Sequence, residues 1–528
     1  MTTGTVAPDR SGLRGGRDGF WPLLHAEWTK FRTVRGWVIG LLVAVLVTVG
    51  FGLLAHDSCS TGNNSACTLP LGPGGEAVAD SFYFVRQPLD GNGSITVRLT
   101  SLAGQIPNPS SSNHVRGGTG GPGTQNMHSG LEPWSKAGII IAANTSQGAA
   151  YAAMTVTGAH GVRMQYDYTG DVAGLPGAVS AASPRWLRLT RAGDTLTGYD
   201  SADGTSWTRV GTVRLAGLPA TVQAGMFAAS PKYTQVISQG LGGSTGTGGP
   251  TLATGTFDHL SLRGDWPSGT WSGTDIGGIN GMYPQAPGGF KQAGGGFVVT
   301  GSGDIAPDVP GDGGGGGAIS EALVGTFAGL ITVIVVAAMF ITAEYRRGLI
   351  RTTLTASPRR GQVLAAKAIV TGLVVFATGL VAVAIALPVG ERTIRQGGTF
   401  IDPVSTLTEL RLVAGTAALL AVAAVLALAI GTMVRRSAVA VTAVIVVIIA
   451  PYILNTVLSA SATQWLLRLT PAAGFAIQQA YPKYAQLSAS YVGGGYYPLA
   501  PWAGFAVLCG WAAGALALAA FLLRRRDA

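Results

Sequence analysis

Two patterns alternate along this chain. Six runs carry no charge at all: Trp37 to Ala55, Ala322 to Ala343, Ala368 to Val389, Leu412 to Val434, Ser437 to Leu458 and Trp502 to Leu523. Each is about 20 residues, the length a helix needs to cross a hydrocarbon core of roughly 30 Å. Runs of Ala, Val, Leu and Gly in lipid must satisfy every backbone amide internally, and a single segment does this only as a helix. The pattern therefore predicts six transmembrane helices. The first run follows a 36-residue leader and is a full span long, so it reads as a retained helix and not as a cleaved signal peptide.

Between His56 and Glu321 the pattern changes to short alternating runs punctuated by Gly, Asp, Asn, Ser and Pro. The runs 81–86, 94–102, 137–143, 151–156, 161–168, 185–191, 195–200, 207–213, 222–229 and 257–262 have the period of two and the spacing of an all-β sandwich. Gly- and Ser-rich tracts at 104–130 and 239–250 interrupt them. GDGGGGG at 311–317 reads as a flexible tether to the second span. The expected organisation is a leader over 1–36, a first span over 37–55, an inserted domain over 56–321 with its sandwich at about 80–262, and five more spans over 322–526. A jelly-roll sandwich on a six-helix membrane protein is the expected fold class.

Composition supports this division. Hydrophobic residues make up 47% of the chain and charged residues only 11%, too apolar for an ordinary soluble protein of this length. With both termini on one side, the segments 1–36, 344–367, 435–436 and 524–528 hold 17 of the 35 basic residues against five acids. The whole net charge of +10 then belongs to that side. The positive-inside rule makes it the cytoplasmic one and the large domain extracellular, and it speaks against nucleic acid as a partner. Cys59 and Cys67 fall just outside the first span, where a bridge is permitted, and free thiols are the other reading; Cys509 stands alone in the last span.

Two basic segments carry the candidate chemistry. In FWPLLHAEWTKFRTVRGW, Leu24, Trp28 and Phe31 recur at helical spacing with His25, Lys30, Arg32 and Thr33 opposite, the pattern of an amphipathic interfacial helix. In ITAEYRRGLIRTTLTASPRRGQVLAAK, residues 348–356 can form a short helix with Leu349, Ile350, Thr353 and Leu354 on one side and Arg346, Arg347 and Arg351 at its start and flank. Ser357 and Pro358 read as an N-cap and first helical residue that restart the chain as the third span, with Arg359 and Arg360 following. Glu344 has Arg347, Lys30 and Arg32 as candidate partners. After the fifth span, TQWLLRLTPAAGFAIQQ reads as a short re-entrant or surface helix; Pro451 predicts a kink and Asn455 a polar contact between helices.

Chemistry in the extracellular insertion is sparse. SADGTSW reads as a hairpin turn with a packed Trp207; as a sialidase Asp-box it is one residue short. His114, His128, His160 and His259 lack metal-ligand spacing, and no carboxylate pair for glycoside cleavage emerges. No metal and no cofactor is implied.

HAEWTKFRTVRGW before the first span, ITAEYRRGLIRTTLTASPRRGQVLAAK after the second and LLRLTPAAGFAIQQ before the last resemble the permease subunits of actinobacterial ATP-binding-cassette transporters of the type-2, exporter-like class. The resemblance covers roughly 20–56 and 320–526. The large domain after the first span departs from the basic six-span members. The order WSKAGIIIAA, PRWLRLTRAGDTLTGYDSADGTSWTRVGTV, VQAGMFAA is similar to concanavalin-like, lamin-G-type jelly rolls, whose members often bind glycans. The resemblance implies a bacterial plasma-membrane protein that pairs with a second permease and is driven by a separate ATPase. The chain contains no G-x-x-x-x-G-K-[ST] loop, so hydrolysis is expected in that partner and this chain is expected not to be an enzyme. On this reading Glu344, Arg346, Arg347, Leu349, Ile350, Arg351, Leu354, Arg359 and Arg360 couple to the ATPase, while Trp28, Lys30, Phe31 and Arg32 anchor the interfacial helix. A membrane-anchored cell-surface protein that binds or senses a glycan is the alternative; a glycan hydrolase is the weakest reading, because one anchor would need one span and not six.

Overall fold

The computed structural model describes residues 19–54, 69–107, 127–239, 243–267, 269–277, 286–308, 316–350, 352, 359–454, 460–481, 484, 486 and 497–525. Among these, six helices are long and apolar enough to cross a membrane. A first amphipathic helix, α1 (Phe20–Thr33), precedes them. The spans are α2 (Arg35–Leu54), α3 (Thr326–Arg346), α4 (Arg360–Gln396), α5 (Thr406–Val434), α6 (Ser437–Leu454) and, after the short α7 (Ala460–Leu469), α8 (Pro501–Arg525). A 3-10 turn, Ile319–Leu323, leads into α3. Another, Pro471–Gln478, follows α7 and is buried throughout.

Small residues set how closely the spans pack. A Cβ on Gly325 would overlap the Thr48 carbonyl, and one on Gly379 would lie 2.9 Å from the Ala417 Cα. With no hydrophobic drive between helices in lipid, such close approach supplies the dispersion that joins them. Helix α5 is the central span: Leu412, Leu420, Ala424, Leu428 and Ala429 are all buried. Pro451 lies inside α6 and is buried; Asn455 falls outside the described residues.

The strands between α2 and α3 form an all-β sandwich. Its main sheet runs in the order Thr208–Arg214, Thr195–Ser201, Arg185–Ala192, Phe82–Pro107, Thr221–Ala229, Lys136–Ala142, Tyr151–Thr157, Val162–Tyr166, Gly170–Ala173. Val85, Leu89, Ile95, Val97, Ile139, Met154, Leu187 and Met226 fill one face with no exposure. Phe84, Ile140, Tyr168 and Phe227 fill a second layer on the opposite face. Lys136–Ala142 is therefore buried on both sides, which is why KAGIIIA reads as a continuous apolar run.

Several strand expectations change. The runs 81–86 and 94–102 are one 26-residue strand, Phe82–Pro107. DGNG reads as a turn, but Gly91 takes a φ of 60° and Gly264–Asp265 opposite shifts register, so the strand bends and continues. Its first half pairs with Thr221–Ala228, its second with Arg185–Arg191. The Gly-rich tract at 239–250 is not only an interruption: Gly243–Gly249 pairs antiparallel with Tyr233–Gln239. Strands also continue past 262, through Ser272–Ile276, Gly289–Ala293, Gly296–Gly301 and Ile305–Pro307. The tether is shorter than expected at its end, because Gly316–Gly317 pairs in parallel with Phe400–Ile401 between α4 and α5.

Further bonds hold the sandwich to these span ends. The Ala77 amide donates to Asp402 Oδ1 at 2.7 Å, Tyr481 Oη donates to the Gly317 carbonyl at 2.7 Å, and Gln486 Nε2 donates to the Tyr168 carbonyl. Residues 55–68, with Cys59 and Cys67, lie outside the described residues.

Candidate functional site

At the span ends remote from the sandwich, three helices each turn one charge inward. On α1, Leu24, Glu27 and Phe31 share a stripe, since residues three and four apart lie on one face; Glu27 and Phe31 are buried. Glu344 ends the buried stripe of α3 one turn after Phe340, and Lys367 lies on the buried face of α4. The three charges meet. Lys367 Nζ donates to Glu27 Oε2 at 2.6 Å and to Glu344 Oε1 at 2.6 Å. Lys30 Nζ closes the group from its rim, 2.8 Å from Glu27 Oε1 and 3.5 Å from Glu344 Oε1.

Aromatic rings wall the cluster. The Lys367 ammonium lies 5.1 Å from the centre of the Phe340 ring, against which Phe31 and Trp37 pack at 5.4 and 5.9 Å. Lys367 is 1% exposed, and among the described residues its charge meets only these partners. Burial alone would lower the Lys30 ammonium, but its bonds and attraction to Glu27 and Glu344 outweigh that and raise it above its ordinary value. Two carboxylates and two ammoniums balance. Burying such ions costs several kcal/mol each, so the cluster fixes one arrangement of α1, α3 and α4 more than it adds net stability.

Glu344 thus takes Lys30, one of its three expected partners, together with Lys367; Arg347 and Arg32 do not hold it and are exposed. Arg346 and Leu349 are also exposed while Ile350 is 5% exposed, so Leu349 and Ile350 do not share one edge. Arg351, Leu354, Ser357 and Pro358 lie outside the described residues. Arg359 caps α4, and Arg360 Nη1 donates to the Leu523 carbonyl of α8 at 2.8 Å. Of the expected apolar positions on α1, Phe31 packs inside at 2% exposure while Trp28 is 44% exposed. The inward stripe runs through Glu27, and Trp28 lies about 100° round the helix from it.

Glu27 and Lys367 were missed by the sequence reading. Lys367 looks like the last cation of a basic loop; the available signal was that it stands on a stripe with Val363 and Leu364, which turns it inward.

The family comparison agrees with this architecture. A family model described as ABC-2 family transporter protein matches residues 21–528. The chain belongs to this ABC-2 family. As a member it is a multi-pass membrane protein and a permease component, a role that implies an ATP-binding-cassette ATPase as partner. No curated protein matches the chain. Among solved structures, a functionally unknown protein from Saccharomyces cerevisiae is 15% identical over 39% of this chain and 86% of its own, with a TM-score of 0.23. A scytalido-glutamic peptidase with a transition state analog inhibitor is 8% identical over 42% of this chain and 98% of its own, with a TM-score of 0.25. A GH43 protein from Bacillus licheniformis is 14% identical over 33% of this chain and 28% of its own, with a TM-score of 0.19.

Cavities open at both ends of this ABC-2 permease. One of about 560 Å³ lies where the sandwich meets the spans, lined by Glu76, Asp402, Arg411, Tyr481 and Tyr484. Burial raises the Asp402 carboxyl above its usual range, although the bond from the Ala77 amide opposes this. Another of about 720 Å³ lies at the remote end, between the close of α3 and the α5–α6 connection, with Arg346, Arg435 and Arg436 in its wall.

Proposed function

We propose that the chain is the membrane-spanning subunit of a dimeric exporter, driven by a separate ATPase through residues 344–367. The observation that carries this reading is the bonding of Lys367 to both Glu27 and Glu344, which makes α1, α3 and α4 one mechanical unit beside exposed Arg346, Arg347 and Leu349. A push on that loop would reach two spans and the interfacial helix together. The charge count supports a cytoplasmic position for this end, with both termini inside and the sandwich outside. On the same reading 1–36 is a leader with an interfacial helix, 56–321 an extracellular domain, and a glycan the ligand that a concanavalin-like sandwich would take.

Copurification from native membrane tests the reading. The wild-type chain is expected to bring down an ATPase subunit and to support ATP-driven efflux in vesicles. Lys367→Met is expected to insert normally but to lose most efflux; full efflux from that variant would overturn the coupling role.

A further inference from the structure

The remote-end cavity is built for an anion. Arg346, Arg435 and Arg436 line it, no carboxylate is among its lining residues, and none of the three arginines has an ion-pair partner among the described residues. The Arg435 guanidinium rests 5.1 Å from the centre of the ring of Tyr345, which also lines the cavity and whose hydroxyl is buried without a hydrogen-bond partner among the described residues. Arg435 itself closes α5 in the left-handed region, with a φ of 61°. Glycine or asparagine is the usual residue there, so holding an arginine in that conformation spends backbone strain on placing a cation. Ser437 opens α6 at the cavity wall; its first turn carries no acid, so its free amides add positive potential.

The wall also carries apolar groups: Met339 and Ala438 line the cavity, Met339 is 40% exposed and Ala438 is exposed. A basic end continuing into exposed apolar span surface matches an amphiphile, with a charged head at the membrane edge and a chain along the helices. A soluble anion or a protein carboxylate would use only the basic half. We propose that this cavity binds an anionic phospholipid, its phosphate held by Arg435 and Arg436 at the amino end of α6 and an acyl chain lying on Met339 and Ala438. The site requires only that the helices be embedded, so it stands or falls separately from ATP-driven export.

The full chain, reconstituted in nanodiscs, allows a direct test. Native mass spectrometry is expected to show phosphatidylglycerol retained at least tenfold over phosphatidylcholine, and phosphatidylglycerol to raise the midpoint of thermal unfolding. Arg435→Gln with Arg436→Gln is expected to abolish the preference, while Arg435→Lys with Arg436→Lys keeps part of it in a chain of unchanged charge. Arg524→Gln with Arg525→Gln, at the same end of the bundle, is expected to leave it intact. No preference in the wild type, an equal loss in the Arg524 and Arg525 pair, or equal protection by inorganic phosphate would overturn the proposal. Displacement of the bound lipid by an ATPase subunit would also overturn it, assigning the arginines to protein carboxylates.

Discussion

Lys367 and Glu27 stand 340 positions apart in sequence and 2.6 Å apart in space, both buried. Because Glu344 accepts from the same ammonium, removing Lys367 leaves two buried carboxylates that share only the half-exposed Lys30 at the rim of the cluster. Lys367→Ala is therefore expected to destabilise the chain by about 3 to 5 kcal/mol, the usual cost of orphaning a buried ion. The triple change Lys367→Met, Glu27→Gln, Glu344→Gln should recover most of that. Thermal unfolding in nanodiscs reads both, and a triple variant as unstable as the single one would show that packing, not charge, is at stake.

Asp80 gives the sandwich a pH dependence. Burial raises its carboxyl to about 6, against the opposing bonds from Tyr168 Oη and the Gly148 amide. Between about pH 4 and pH 6 the native domain keeps a proton that the unfolded chain has released, so stability falls as pH rises through that window, by up to roughly 1.4 kcal/mol per pH unit. Above about pH 6 the contribution is flat. Asp80→Asn should remove the slope, measured by hydrogen exchange in the strand Tyr151–Thr157; an unchanged slope would assign it to another group.

Packing between spans α2 and α3 rests on Gly325, whose missing side chain admits the Thr48 carbonyl. Gly325→Val is expected to cost about 1 to 3 kcal/mol through overpacking. A Cβ at Gly510 in α8 would meet nothing within 4 Å, so Gly510→Val serves as the control. Equal unfolding midpoints for the two variants would remove Gly325 from the account.

The spans and most of the sandwich strands were legible because both depend on local period: about 20 apolar residues for a span, alternation for a strand. What failed depended on distant partners. DGNG over 90–93 is turn chemistry in isolation, yet pairing on both flanks of the strand carries it through. Gly243–Gly249, GSTGTGG, has four glycines and no apolar side chain to announce a strand, and its pairing with Tyr233–Gln239 makes it one. Glu27 and Lys367 were invisible as a pair for the same reason: each lies on a helix whose neighbour is set by tertiary packing. Arg435 was counted for topology, and its left-handed backbone could not be read from RRS.

The exposed face at the remote end makes the last prediction. Leu349 is 48% exposed beside exposed Arg346 and Arg347, whereas Ile350 is buried against its own chain. A partner would therefore meet Leu349 and the arginines, and Ile350 would hold the loop in place. Leu349→Asp, or Arg346→Gln with Arg347→Gln, is expected to lower transport-stimulated ATP hydrolysis about tenfold, equivalent to ~1.4 kcal/mol of lost coupling. Membrane insertion and the unfolding midpoint should stay as in the wild type. Ile350→Asp should instead lower the midpoint, since it buries a charge. Normal stimulation in both surface variants would move the ATPase contact away from this loop.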